Sequence, residues 1–385
     1  MDFGFNDEQE MLRASVRRLL EDRCPLTRVR ALFDEEPGFD DDLLRRGAEL
    51  GFTSLLIPEA DGGGSLTGQG LVDAVVVAEE LGRLVQPAPF VPTNVVAAAL
   101  AGHGTPAQRQ RWLPGLAGGR TVAAWCAGRA AGGWAAPADQ LAAAPDGAGW
   151  VLDGTASFVE GAVAAGLLLV TAATPGGTAQ FVVPTGTAGV TVRRLATIDL
   201  GRRFARVGFA GVQLDDSAVL GPTPADAAAA HQLHVACVLV CADSVGGMAE
   251  LVGRTVRYAK DRVQFGRPIG SYQAIKHRCA DLAVTVEAAR AATHYAALAV
   301  DGDQPDAPRA VSVAKSYVGD AYARVAGEAL QIHGGIGFTW EHDVHLYLRR
   351  AKANQVLFGD PSWHREQVWG RLAAAVVGTA APVGA

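Results

Sequence analysis

Residues whose types and spacing suit chemistry are concentrated in two stretches. The first is Tyr258–Arg290, where a helical pattern runs into Asp261 and Arg262 and stops at Gly266 and the Arg267–Pro268 pair; a new helix is expected from about Ser271. The turn gathers Arg262, Arg267, the aromatic Phe265 and the amide of Gln273. Guanidinium forks match phosphate oxygens bidentately, and Phe and Gln can hold an attached ring or sugar, so this set suits a pyrophosphate. An ordinary corner between two helices, dressed with surface arginines, carries the same residues. In the second stretch, Gln331–Trp340, Gly334, Gly335 and Gly337 interrupt a helical pattern. Glycines there permit positive φ and close backbone approach to a ligand, as they also do at a plain helix C-terminus.

The remaining polar clusters offer less. His231/His234 and His342/His345 are i, i+3 pairs without a third ligand in a recognisable pattern, so they read as solvated helix faces and no metal site is expected. Cys237 and Cys241, four apart in an apolar helix, read as small core residues. Ser65 lacks the flanking spacing of a nucleophile elbow.

The elements that must position these residues fall into three textures. Residues 1–118 read as helical: Asn6 caps a first helix with Gln9 reaching back, Leu12, Val16, Leu19 and Leu20 share a face, and further helices are expected over Asp41–Leu50, Leu71–Leu81, Asn94–Ala101 and Pro106–Ala117. Residues 119–223 carry short β-type runs separated by Gly, Pro and Asp: Val122–Cys126, Trp150–Leu152, Gly166–Thr171, Gln180–Val183, Gly189–Arg193 and Arg206–Phe209. From 224 to 378 helical periodicity returns, with Ile275, Cys279, Leu282, Val286 and Ala289 on one face. The fold class is therefore α+β, arranged as an α domain, a β domain and a second α domain.

Composition narrows the function classes. The chain has 385 residues, 49% hydrophobic and 19% charged, enough for two or three packed domains. A net charge of -6 without a Lys/Arg block excludes nucleic acid as an expected partner. Five scattered cysteines, an odd number, predict reduced thiols and a cytoplasmic protein. The acidic N-terminus is unlike a secretory signal, and the apolar runs 161–173 and 235–242 fall short of the ~20 residues needed to cross a bilayer, so no membrane association is expected.

The two chemical stretches, with the segments LGFTSLLIPEADGG, VVAEELGR and QRQRWLPGLAGGR, resemble the acyl-CoA dehydrogenase family over nearly the whole chain. The resemblance implies an N-terminal helical domain, a middle β domain and a C-terminal four-helix bundle. It also implies an FAD enzyme that oxidises an acyl-CoA thioester to a 2-enoyl-CoA: a carboxylate takes the proton next to the thioester while hydride leaves the next carbon for the flavin. In the family the FAD lies at a dimer interface, and Arg262, Phe265, Gln273, Gln331, Gly334 and Gly335 fall on positions resembling a subunit's contribution to its neighbour's ADP half.

The other half of the family's site is not found. The Thr-Glu-Pro…Gly-Ser-Asp-like loop after the first strand is replaced by Ala127–Trp134, and the later Trp-Ile-Thr-Asn-like strand reads Phe158-Val159-Glu160-Gly161. The usual catalytic glutamate aligns with Phe358, and the alternative position used by some members aligns with Ala236. Cys237 stands where a substrate-binding arginine often lies. Glu160 and Asp360 are the candidate substitute bases, though Glu160 also reads as a solvated or ion-paired residue and Asp360 as the cap of the last helix before Pro361. This asymmetry resembles the less typical subunit of heteromeric (α2β2) actinobacterial acyl-CoA dehydrogenases of sterol side-chain and related β-oxidation. It implies a second acyl-CoA dehydrogenase-like chain as partner, acyl-CoA bound mainly in that partner's pocket, and electron-transfer flavoprotein as acceptor. A self-sufficient homo-oligomer and a flavin-free scaffold are the alternatives.

Overall fold

The computed structural model describes residues 4–127, 141–147 and 149–377. The chain forms two compact units, one of residues 5–77 and 86–236 and the other of residues 78–85 and the chain from 237 onward.

The first unit opens with helices α1 (Asp7–Arg23), α2 (Leu26–Ala31), α3 (Asp41–Glu49), the start of α4 (Gly70–Arg83), α5 (Phe90–His103) and α6 (Pro106–Ala117). The capping box on α1 is formed as expected, with Asn6 accepting from the Gln9 amide and Gln9 answering. Asp73, fully buried on α4, accepts from Gln9 Nε2, Ser65 Oγ and the amides of Leu66 and Thr67 at 2.7–3.1 Å. That carboxylate pins the Gly-rich loop, so Ser65 has a structural partner.

Eight strands among the described residues of this unit build one sheet: β1 (Ala123–Cys126), β2 (Leu141–Asp146), β3 (Gly149–Glu160), β4 (Leu167–Thr174), β5 (Gly177–Pro184), β6 (Val190–Arg194), β7 (Phe204–Asp215) and β8 (Val219–Leu220). The order is β6-β7-β3-β2-β4-β5-β8, with β1 also pairing β4 in parallel. One face buries Leu152, Ala156, Val170, Phe181, Val207 and Phe209, and alternation along each strand decides which residues these are. Strands β3 and β7 run twelve residues each, well beyond the expected segments, because they pair along their whole length and absorb two bulges. The bulge between Ala156 and Val159 leaves Phe158 at φ +57° with its ring 53% exposed.

The second unit contains the last turns of α4, most of α7 (Asp226–Asp261), a hairpin of β9 (Val263–Gln264) and β10 (Arg267–Pro268), and helices α8 (Gln273–Asp301), α9 (Ala307–His333), α10 (Val344–Val356) and α11 (Pro361–Val377). Gly82 and Gly246 let α4 and α7 touch backbone to backbone, since a Cβ at either would collide with the opposite main chain. Helix α7 is the one described helix long and apolar enough to span a bilayer, and 89% of its apolar window is buried, which makes it a core helix. Among its buried polar residues is Asp243, which pairs with buried Arg350 at 2.9 Å and accepts from Asn354 at 2.7 Å.

The cysteines are free, and Cys24, Cys126, Cys237 and Cys241 are buried. Burial pushes the Cys24 thiol up to about 11 and those of Cys237 and Cys241 to about 12. Only Cys279 is half-exposed. A thiol reagent at pH 8 should therefore label one cysteine per native chain, at Cys279, and all five after denaturation; mass spectrometry of the labelled peptides checks this.

Candidate functional site

Arg262 follows the last turn of α7, its amide bonded to Tyr258 O at 2.8 Å and its carbonyl accepting from the Ile269 amide. The turn expected there is a two-residue hairpin whose central residues, Phe265 and Gly266, both have positive φ (+53° and +79°). That geometry selects a hairpin matched to strand twist, and for a non-glycine residue it costs of order 1 kcal/mol. It also projects Phe265 outward, 93% exposed. Arg267 is held over the Tyr272 ring at 4.1 Å, whereas among the described residues no carboxylate pairs with Arg262. Gln273 is the first residue of α8, whose N-cap Tyr272 makes no side-chain cap and whose first turn lacks an acid. The first-turn N–H groups and the helix dipole therefore present positive potential beside Arg262.

The glycine stretch lies at the same end of the unit. Tyr258 Oη donates to His333 O at 3.2 Å, and the two rings stack at 4.4 Å, which sets the end of α9 against the last turn of α7. Arg278 pairs with Glu328 at 3.0 Å, which lays the start of α8 along the end of α9. Arg262, Phe265, Gln273, Gln331, Gly334 and Gly335 are thus brought to one end of the helical unit. Of the three glycines, only Gly334 has positive φ (+64°, ψ −147°), a region open to glycine alone. Gly335 has ordinary φ, and Gly337 is packed under His333 and Leu330. A Cβ at Gly334 or Gly335 would meet nothing within 4 Å, so their backbone faces open space. His333 is buried behind them, donating from Nδ1 to Ala329 O, and burial holds its imidazole below the ordinary range.

The base positions are differently built. Phe358 is buried at φ +60°, and its carbonyl accepts from His364 Nε2 at 3.0 Å and Cys237 Sγ at 3.7 Å. The next carbonyl, Gly359 O, accepts from the fully buried Lys315, which also donates to the carbonyls of Asn354 and Gln355. Three side chains from α7, α9 and α11 thus fix a left-handed Phe-Gly pair with no carboxylate on it. Sequence reading missed Lys315 and His364, although a lysine on the Val311, Ala314, Val318 stripe of α9 was a legible signal of a buried cation. Asp360 Oδ1 accepts from the Trp363 amide at 2.8 Å, capping α11.

In the other unit Ala236 is fully buried on α7. Glu160, at the end of β3, is buried and accepts from Arg202 Nη1 at 2.6 Å, with side-chain exposures of 7% and 4%. That partner was also missed. The replacement loop after β1 lies outside the described residues from Gly128 onward. Among the described residues no cluster suits a metal ion; His345 Nε2 bonds Trp340 O, while His342 Nδ1 accepts from the Val344 amide. The arrangement can hold a phosphorylated nucleotide at the helical end, and it offers no uncommitted base at Phe358, Ala236, Glu160 or Asp360.

Residues 6–120 match the acyl-CoA dehydrogenase N-terminal domain and residues 227–373 the acyl-CoA dehydrogenase C-terminal domain. Acyl-CoA dehydrogenase IpdE2 of Mycolicibacterium smegmatis is 35% identical over 94% of this chain and 97% of its own length; the protein of the same name from Mycobacterium tuberculosis is 33% identical over 92% and 94%. Among solved structures, a chain of a Tcur3481-Tcur3483 steroid ACAD variant superimposes with a TM-score of 0.88 at 32% identity, covering 97% of this chain and 99% of that one. A chain of the ChsE4-ChsE5 complex from Mycobacterium tuberculosis gives 0.88 at 29%, covering 99% and 100%. With both domain matches and relatives above 30% identity over almost its full length, the chain belongs to the acyl-CoA dehydrogenase family of FAD-dependent oxidoreductases.

Proposed function

We propose that this chain is one subunit of a heteromeric acyl-CoA dehydrogenase and grips the ADP portion of an FAD whose ring, base and acyl-CoA pocket lie mainly in a second acyl-CoA dehydrogenase-like chain. The observation that carries the reading is the contrast within one molecule: among the described residues Arg262 pairs with no carboxylate, near an uncapped helix and an open Gly334–Gly335 backbone, while Phe358 and Ala236 hold the base positions. The chemistry FAD supplies when bound is hydride acceptance. Arg262 and the first amides of α8 bind pyrophosphate oxygens, Phe265 covers an attached ring, Gln273 and Gln331 orient polar edges, and the two glycines admit the ligand to the backbone. Likeness to a steroid ACAD and to a chain of the ChsE4-ChsE5 complex supports a hetero-oligomer and extends the substrate class to sterol side-chain thioesters. Electron-transfer flavoprotein is the acceptor on this reading, the cytoplasm its location, and residues 1–118, 119–223 and 224–378 its three domains.

A self-sufficient enzyme would need Glu160 or Asp360 as base. Asp360 is engaged as a helix cap and Glu160 with Arg202, so neither supports it. The deciding experiment is co-expression with a homologue encoded beside it. The expected result is a colourless chain alone and a yellow, active complex with one FAD per pair of unlike chains. A flavin-loaded, active homo-oligomer would overturn the reading.

A further inference from the structure

Gly334 and Gly335 give the nucleotide end its open backbone, and glycines fix their own conformation least of all residues. They follow directly on the end of α9, where a helix leaves its final carbonyls without partners of its own. One of those carbonyls, His333 O, accepts from Tyr258 Oη at 3.2 Å. The His333 imidazole is held on two sides as well: the Tyr258 ring stacks on it at 4.4 Å, and the His342 ring meets it edge-on at 4.9 Å. Its Nδ1 bonds Ala329 O at 2.8 Å, which ties the ring back to α9. The residue before the glycines is therefore fixed from α7, while a Cβ on either glycine would meet nothing within 4 Å.

Tyr258 also sets Arg262. Its carbonyl accepts from the Arg262 amide at 2.8 Å, the bond that closes the end of α7. The main chain of one residue thus places the guanidinium, and its hydroxyl places the start of the glycine turn. The hydroxyl matters more than the ring. Stacked rings tolerate offset, whereas a hydrogen bond to a carbonyl is directional, and the planar peptide that carries His333 O also carries the nitrogen of Gly334. Holding that oxygen therefore fixes the plane from which the turn departs at φ +64° and ψ −147°. We infer that Tyr258 is a positioning residue for phosphate binding: its hydroxyl keeps the Gly334–Gly335 backbone in register with Arg262, so that one ligand meets both. The inference rests on the ADP-gripping reading and adds to it a side chain that touches no ligand.

Tyr258→Phe keeps the stack and removes only the hydroxyl. Release of FAD from the flavin-bearing complex, followed as the rise in flavin fluorescence after dilution, should become roughly three- to ten-fold faster for one neutral hydrogen bond lost. In a Gly334→Ala background the turn is already displaced, because alanine disfavours that backbone region, and the same change should then have almost no effect. Thr255→Val removes another hydroxyl-to-carbonyl bond of α7 and should leave release at the wild-type rate. On the flavin-free chain, amide hydrogen exchange over residues 331–340 should rise in Tyr258→Phe and not in Thr255→Val. A hydroxyl that served stability alone would lower the thermal midpoint and act equally with and without Gly334→Ala. That equality overturns the inference, as does a wild-type rate of release or of exchange in Tyr258→Phe. Arg262→Ala in the same assay separates the two failures: faster release there with Tyr258→Phe unchanged sinks the positioning role alone, and no change in either sinks the nucleotide site with it.

Discussion

Arg202→Ala should lower the unfolding free energy of the chain by about 3–5 kcal/mol, because it removes the guanidinium that pairs with the buried Glu160 carboxylate. The pair is 2.6 Å apart, and both side chains are more than nine-tenths buried, so water cannot replace the guanidinium. The loss belongs to the stranded charge rather than to the pair. A double variant, Arg202→Met with Glu160→Leu, should therefore recover most of it, since two apolar groups of similar volume remove the desolvation cost along with the attraction. Urea unfolding of the three proteins measures these differences. A deficit equal in the single and double variants would mean that Arg202 acts through packing alone.

This ion pair also marks where sequence reasoning reached its limit. The capping box at Asn6 and Gln9, the helix of Pro106–Ala117 and the Asp360 cap were legible because each depends on residues within one turn of one another. Glu160 and Arg202 are 42 residues apart, and their meeting depends on how β3 pairs with β7. Strand β2, Leu141–Asp146, escaped notice because three alanines, a proline and an aspartate have little strand preference of their own; pairing with β3 imposes the conformation. The same limit applies at the candidate site. Gly334 was readable as a residue needing unusual backbone, but the positive φ of Phe265 and Phe358 was not, since neighbouring structure forces it on residues that disfavour it. Phe358 illustrates this: His364, Cys237 and Lys315 hold its carbonyl and the next from three other helices.

Arg262→Ala should weaken retention of FAD by the heteromeric complex roughly ten- to a hundred-and-fifty-fold, which is about 1.5–3 kcal/mol for charge-assisted bonds to a phosphate. The effect should be large for a surface arginine because no carboxylate among the described residues competes for it and the uncapped start of α8 already concentrates positive potential there. Arg262→Lys should recover only part of the loss, since an ammonium lacks the guanidinium fork. Fold stability should hardly change, because the side chain is exposed and the turn is fixed by main-chain bonds from Tyr258 and Ile269. Gln331→Ala should lower retention less, having one neutral amide to lose. The measurement is the flavin remaining after gel filtration at two salt concentrations, with the loss in Arg262→Ala made smaller relative to wild type as salt rises, because the charge it removes is then screened in both proteins. A flavin-free scaffold would tolerate Arg262→Ala and Gln331→Ala without any change in flavin content, and a chain that held its own flavin would lose colour even in the absence of a partner. The shared-cofactor arrangement predicts neither: the colour belongs to the complex, and one arginine of the colourless chain governs how tightly the complex keeps it.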